Sequence, residues 1–158
     1  MSYKVKDEIL KVCEVTISYR PTVRTCDRPV LKSSMDIYTF LMQNGVFNPD
    51  TVEYREYFKI LLLNNANKML GVQHLSEGSI GETPADVRHI MQAAILANAT
   101  GIVLCHNHTS GKCSPSRNDD LVTAKVKDAG ELFDIRVLDH LIVTPYSYYS
   151  YADEGRIL

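Results

Sequence analysis

A chain of 158 residues, 45% of them hydrophobic, carries a formal charge of −2 at pH 7. That size suits one globular domain with a proper core, and the charge balance shows none of the excess that marks a basic nucleic-acid-binding domain. No apolar run approaches the ~20 residues of a membrane-spanning helix, and the opening Met1-Ser2-Tyr3-Lys4-Val5-Lys6-Asp7 holds no signal-peptide segment. The expectation is a cytoplasmic chain whose four cysteines, Cys13, Cys26, Cys105 and Cys113, are reduced thiols.

Residues 12–19 alternate apolar and polar side chains and read as a strand. Residues 20–32 carry two prolines and several charges and read as an arm. Ser33-Ser34 offers an N-cap for a helix reaching about Asn44, with Ile37, Phe40 and Leu41 on one face and Gly45 as the C-cap. Residues 53–63 form a strand, with Phe58-Lys59-Ile60-Leu61-Leu62-Leu63 its buried part. After the polar turn 64–68, a second strand over 69–75 completes a hairpin. Thr83-Pro84-Ala85-Asp86 is a helix start: Thr as N-cap, Pro first, an acid three after the cap. Val87, Ile90, Met91, Ala94 and Ile95 line one face of that helix, which ends near Ala99.

A short apolar strand, residues 101–105, leads into Cys105-His106-Asn107-His108-Thr109-Ser110-Gly111-Lys112-Cys113-Ser114-Pro115-Ser116-Arg117-Asn118-Asp119. A helix over 117–133 follows, burying Val122, Val126, Ala129 and Phe133. Strands over 136–144 and 148–152 close the chain. Hairpins mixed with helix crossovers argue for an α+β sandwich around a mixed sheet. The whole chain is one domain, with residues 1–52 a lead-in of strand, arm and helix.

In extended backbone, residues i and i+2 point to one side, so His106 and His108 can address a single point. A glycine and a proline then turn the chain, and Asp119 falls in the first turn of the next helix. Two imidazoles and a carboxylate with one open position make a catalytic zinc set. Iron, manganese and nickel suit the same donors.

The spacing His-x-His, ten residues, Asp, with Ser116 three before the acid, resembles the JAMM (MPN+) metalloprotease motif. The strings Leu104-Cys105-His106-Asn107-His108-Thr109-Ser110-Gly111 and Val137-Leu138-Asp139-His140-Leu141-Ile142-Val143 are similar to the RadC branch, a bacterial family named for DNA repair, and the likeness runs over about 29–155. The resemblance implies a curved mixed sheet flanked by helices (a JAMM/MPN, cytidine-deaminase-like sandwich), with His106, His108 and Asp119 as zinc ligands and amide hydrolysis of a peptide or isopeptide substrate. It implies that Ser116 donates to a developing oxyanion, beside its reading as a helix N-cap. It also implies a glutamate general base at the start of a strand entering the sheet. Glu56 fits, since Glu56, Phe58 and Ile60 share a parity. Glu53, off that parity, and Glu77, beside a glycine-rich loop, are rivals. Thr109 stands where RadC-like sequences carry proline, which frees a backbone N–H.

Other readings stay open from the residues. Cys105 and Cys113 with the histidines could close a structural zinc site, although the parity of Cys105 makes it a core thiol. Asn107 should point away from the ligands and fix the loop. His140 either orients a ligand or packs. His74 and His89 have no assigned role. The tyrosines over 146–151 lack the basic interleaving of a base-stacking platform and suit packing or a protein contact. The alternative to a hydrolase is a non-catalytic metal-binding or protein-interaction module, and no basic patch supports DNA contact. Oligomeric state is not readable.

Overall fold

A computed structural model describes residues 18–78 and 85–157. The strand expected over 12–19 lies almost wholly outside them, as do Thr83 and Pro84. Helix α1 spans Ser34–Gln43; strands β1 and β2 span Tyr57–Leu63 and Met69–Glu77; helix α2 spans Val87–Leu96; β3 spans Gly101–Asn107; α3 spans Arg117–Glu131; β4 and β5 span Arg136–Val143 and Tyr148–Ser150. The sheet order is β2-β1-β3-β4-β5. Only β3 and β4 run parallel, joined through α3; the other neighbours are antiparallel. The α+β class with a mixed sheet flanked by helices is what the structure shows. Among the described residues no helix is long and apolar enough to cross a membrane.

The strand pleat sorts side chains into two cores. Phe58, Ile60 and Leu62 of β1 and Ile102 and Leu104 of β3 face α2 and α3, meeting Ile90, Met91, Ala94 and Val126. Leu61, Leu63, Val103 and Cys105 face the other way, against Ile37, Leu41 and Phe47. Every residue of β3 is buried, as a central strand covered on both faces must be. Its even-numbered residues face α3, so His106 does too.

Strand β4 contains a bulge. Ile102 pairs with Val137, but Val103 pairs with Asp139, so Leu138 and Asp139 together oppose one step of β3. A one-residue slip exchanges faces: Val137 belongs to the α3 side, and three residues later His140 also faces that side, against His106. The buried Asp139 carboxylate at the bulge accepts from the His140 and Ala152 amides and from the Ser150 hydroxyl, which satisfies the charge and ties β4 to the residues after β5.

Several boundaries differ from the sequence reading. Ser33 caps α1 through a box with Asp36, and Gly45 takes φ +64° after it, as expected. Helix α2 starts later than expected. Asp86 is the N-cap, its carboxylate accepting from the Arg88 amide at 2.8 Å: a carboxylate one residue before the helix satisfies an end amide directly. The buried stripe of α2 is Ile90, Met91 and Ala94; Ile95, expected on it, is exposed, one residue further round the helix. Phe133, expected inside, is also exposed, because α3 stops at Glu131 and the chain turns beneath it. Gly130 allows that turn: a Cβ there would lie 2.3 Å from the Ile135 carbonyl oxygen, and the Ile135 amide donates to the Gly130 carbonyl. Strand β1 starts four residues later than expected, β3 runs two residues further, and β5 is shorter.

Backbone cannot retreat as a side-chain tip can, so Gly130→Ala is expected to cost about 2 kcal/mol and lower the melting temperature by about 4–8 °C. A thermal melt checks this; an unchanged midpoint would show that the turn has slack.

Candidate metal centre

His106 lies in the last turn of the β3 pleat and His108 just past its end. Their Nε2 atoms are 3.0 Å apart. Asp119, in the first turn of α3, places Oδ1 3.2 Å from His106 Nε2 and Oδ2 3.4 Å from His108 Nε2. Among the described residues these three form the one group with the side chains and proximity to hold a metal ion, one ligand atom from each lying within 4.8 Å of the others. The donor set fits such an ion. Ligands at 2.0–2.1 Å in a tetrahedral shell lie about 3.3 Å apart, the range these pairs already occupy.

The other ring nitrogens are committed elsewhere. His108 Nδ1–H donates to the Lys112 carbonyl at 3.0 Å. Thr123 gives its hydroxyl hydrogen to the Asp119 carbonyl at 2.6 Å and so accepts from His140 Nδ1–H at 2.6 Å. The remaining lone pair of His140, on Nε2, accepts from His106 Nδ1–H at 2.8 Å. His140 is fully buried; burial, then the neighbouring His106, holds its pKa well below the ordinary imidazole value, which keeps that lone pair free. Nδ1 of each histidine therefore keeps its hydrogen, and Nε2 is the nitrogen of each that faces Asp119, open to an ion once any proton bridging to that carboxylate has left. His140 is thus an orienting partner, the first of its two sequence readings.

Asp119 and Ser116 form a reciprocal cap. Ser116 Oγ accepts from the Asp119 amide at 3.2 Å, and Asp119 Oδ2 accepts from the Ser116 amide at 2.6 Å. The cap uses a hydroxyl lone pair and leaves the Ser116 O–H hydrogen for another acceptor. Burial would raise the Asp119 pKa, but hydrogen bonds from His106, His108 and Ser116 outweigh it and hold the carboxyl far below the usual range. The Asp119 hydrogen bond raises the His108 pKa against burial, with smaller help from the Lys112 carbonyl and from Asp119 and Glu56 charge.

Glu56 immediately precedes β1 and is 8% exposed. It lines a cleft of about 580 Å³ together with Phe58, His106, His108, Ser116 and Asp119. Asn107 brackets it. The Asn107 side chain accepts from the Tyr57 amide at 2.8 Å and donates to the carbonyls of Val52 and Arg55 at 2.6 and 2.8 Å. The Glu56 carbonyl in turn accepts from the Gly78 amide at 2.9 Å. Phe58 stacks on the His106 ring, 5.8 Å between centroids and with the ring planes nearly parallel. The rivals fall elsewhere: Glu53 is exposed in the turn before β1, and Glu77 pairs with Arg55 at 2.5 Å. Neither lines the cleft.

The cysteines stand apart from the group. Cys105 is buried in the α1-side core. Cys113 lies against the Ile142 carbonyl and the Thr144 hydroxyl. Cys26, Cys105 and Cys113 are free thiols; Cys13 is outside the described residues. His74 lies beside Tyr57 and His89 beside Asp86, away from the centre. Of the late tyrosines, Tyr148 stacks on Tyr38 and Tyr151 on His140, while Tyr146 is exposed. The sequence reading did not name Thr123 and took Tyr151 only as one of the late tyrosines suited to packing; Thr123, four residues after Asp119 on the same helix, carried a weak signal through its i−4 spacing.

A model of the RadC-like JAB domain matches residues 31–156. The chain belongs to that family. Among similar proteins, a UPF0758 protein of Flavobacterium johnsoniae is 48% identical over 100 residues, covering 63% of this chain and 44% of that protein. The UPF0758 protein YeeS of Escherichia coli K12 is 42% identical over 101 residues, 64% and 68% of the two chains. One from Rubrobacter xylanophilus is 37% identical over 134 residues, 85% and 56%. The matched part is less than half of the Flavobacterium relative. The family match covers every residue of the centre and the fold that presents it.

The raised imidazole stabilises the metal-free fold below its ordinary value near 6.5 and stops doing so as pH rises through the raised one. The lowered carboxyl stabilises it above about 3.9 and stops as pH falls. The pairing of His108 with Asp119 therefore counts most between about pH 4 and 6.5. Urea unfolding of metal-free protein should show wild type exceeding Asp119→Asn by most near pH 5, with the gap narrowing as pH rises through the raised His108 value; a gap independent of pH would remove the pairing.

Proposed function

We propose that the chain is a zinc-dependent hydrolase acting on an amide bond, peptide or isopeptide, in the manner of JAMM metalloproteases. The observation that carries this reading is the convergence of His106, His108 and Asp119 in one cleft with the nearly buried Glu56 carboxylate and Ser116. A scaffold that only held partners would have no use for an acid buried beside a metal-binding group.

His106, His108 and Asp119 would hold the ion, and two imidazoles with one carboxylate suit zinc. When bound, zinc supplies Lewis acidity, polarising a carbonyl and lowering the pKa of water toward about 7. Glu56 is the proton carrier: it takes a proton from the attacking water as the new C–O bond forms and delivers it to the nitrogen as the C–N bond breaks. Ser116, whose cap leaves its hydrogen free, donates to the oxyanion that develops at the carbonyl. Asn107 fixes the backbone on both sides of Glu56, so the carboxylate meets the water in one orientation. The DNA-repair association of the RadC name adds no DNA contact to this reading, since the chain carries no basic excess.

Elemental analysis is expected to find about one zinc per chain, lost in His106→Ala and Asp119→Ala. Glu56→Gln should keep the metal while amide or isopeptide hydrolysis falls about 10²–10⁴-fold. Wild-type protein without metal after zinc addition, or a Glu56→Gln variant with full activity, would sink the proposal; the first outcome would favour a partner-binding module.

A further inference from the structure

Tyr151, just past β5, joins groups that belong to different elements. It is 2% exposed. Its ring stacks on His140, 4.9 Å between centroids and 17° between planes. Its amide donates to the His140 carbonyl at 3.1 Å. Its hydroxyl donates to Asp120 Oδ1 at 2.9 Å. Arg156 sits over the same ring at 5.1 Å and donates to Asp120 Oδ2 at 2.7 Å, so the Asp120 carboxylate is gripped on both oxygens.

The two ends of Tyr151 therefore reach two arms of the metal group. The stacked face supports His140, which holds Nδ1 of His106. The hydroxyl end grips Asp120, the residue after Asp119 in the first turn of α3. We propose that Tyr151 is a positioning residue of the metal centre, setting metal affinity by fixing the distance between the β3 arm that carries His106 and the α3 turn that carries Asp119. This rests on the metal-centre reading above and extends it to a residue that touches neither ion nor substrate. Removing the ring leaves a gap beside His140 and lets its imidazole tilt; removing only the hydroxyl leaves Asp120 held by Arg156 alone while the stack persists. Partners of this outer kind are worth about 10–100-fold in metal affinity.

The test is zinc affinity by competition with a chromophoric chelator, paired with the visible spectrum of the cobalt-substituted protein. Tyr151→Leu is expected to bind zinc about 100-fold more weakly and Tyr151→Phe about 10-fold, with altered cobalt bands in the folded, loaded protein. Val126→Ala is the control. It weakens the buried side of the same helix without touching the network, and should keep wild-type affinity and spectrum. If Tyr151→Leu does not fold, Tyr151→Phe decides. Wild-type affinity and spectrum in the Tyr151 variants, or an equal loss in Val126→Ala, would overturn the inference and leave the metal centre standing. Wild-type protein that takes up no zinc would overturn the metal reading itself, and this inference with it.

Discussion

The two nitrogens of the His106 ring have opposite duties, and much of the molecule is arranged around keeping them apart. For Nε2 to take an ion beside His108 and Asp119 it must present a lone pair, so Nδ1 must carry the hydrogen. A hydrogen on a buried ring needs an acceptor, and His140 provides one. His140 can accept only because its own hydrogen goes to Thr123, and Thr123 can receive it only because its hydroxyl hydrogen goes to the Asp119 carbonyl. The chain of donors starts at one metal-group residue and ends at the backbone of another. The Asp119 carbonyl can only accept, so the direction of each bond is set from that end and the network holds one proton arrangement.

Strand β3 shows how the same seven residues serve core and site. Its odd-numbered side chains, Val103 and Cys105, fill the α1-side core, while Ile102 and Leu104 lead directly into His106 on the other face. Asn107 returns to the α1 side and uses all three of its hydrogen bonds on the segment that holds Glu56. The carboxylate and the imidazoles are therefore carried by one hydrogen-bonded body.

Much of this was legible because it is local. The His-x-His pair shares a parity, the Ser116–Asp119 box is a four-residue pattern, and Glu56 shares a face with Phe58. The class of fold followed from hairpins mixed with helix crossovers. What could not be read depended on pairing. The parity of β4, counted along the sequence, sets His140 on the face opposite Val137; only the bulge against β3 brings it round to His106. Tyr151 is 32 residues beyond Asp119, and its contact with Asp120 requires the whole crossover to be in place. Thr83-Pro84 outranked Asp86 as a helix start because proline and spacing are visible in a string, whereas which carboxylate reaches an end amide is decided by the approach of the chain.

The bulge at Leu138–Asp139 also determines what kind of genetic change the protein can absorb. A substitution there alters one side chain. Loss or gain of a single residue would turn His140, Leu141, Ile142 and Val143 over together, sending an imidazole into the aliphatic core and leaving leucine against His106. Strand length between Val137 and His140 is thus a coded quantity, as much a part of the centre as its histidines. Length variation should collect in the connections outside the sheet, where a changed residue count leaves the facing of the strands untouched.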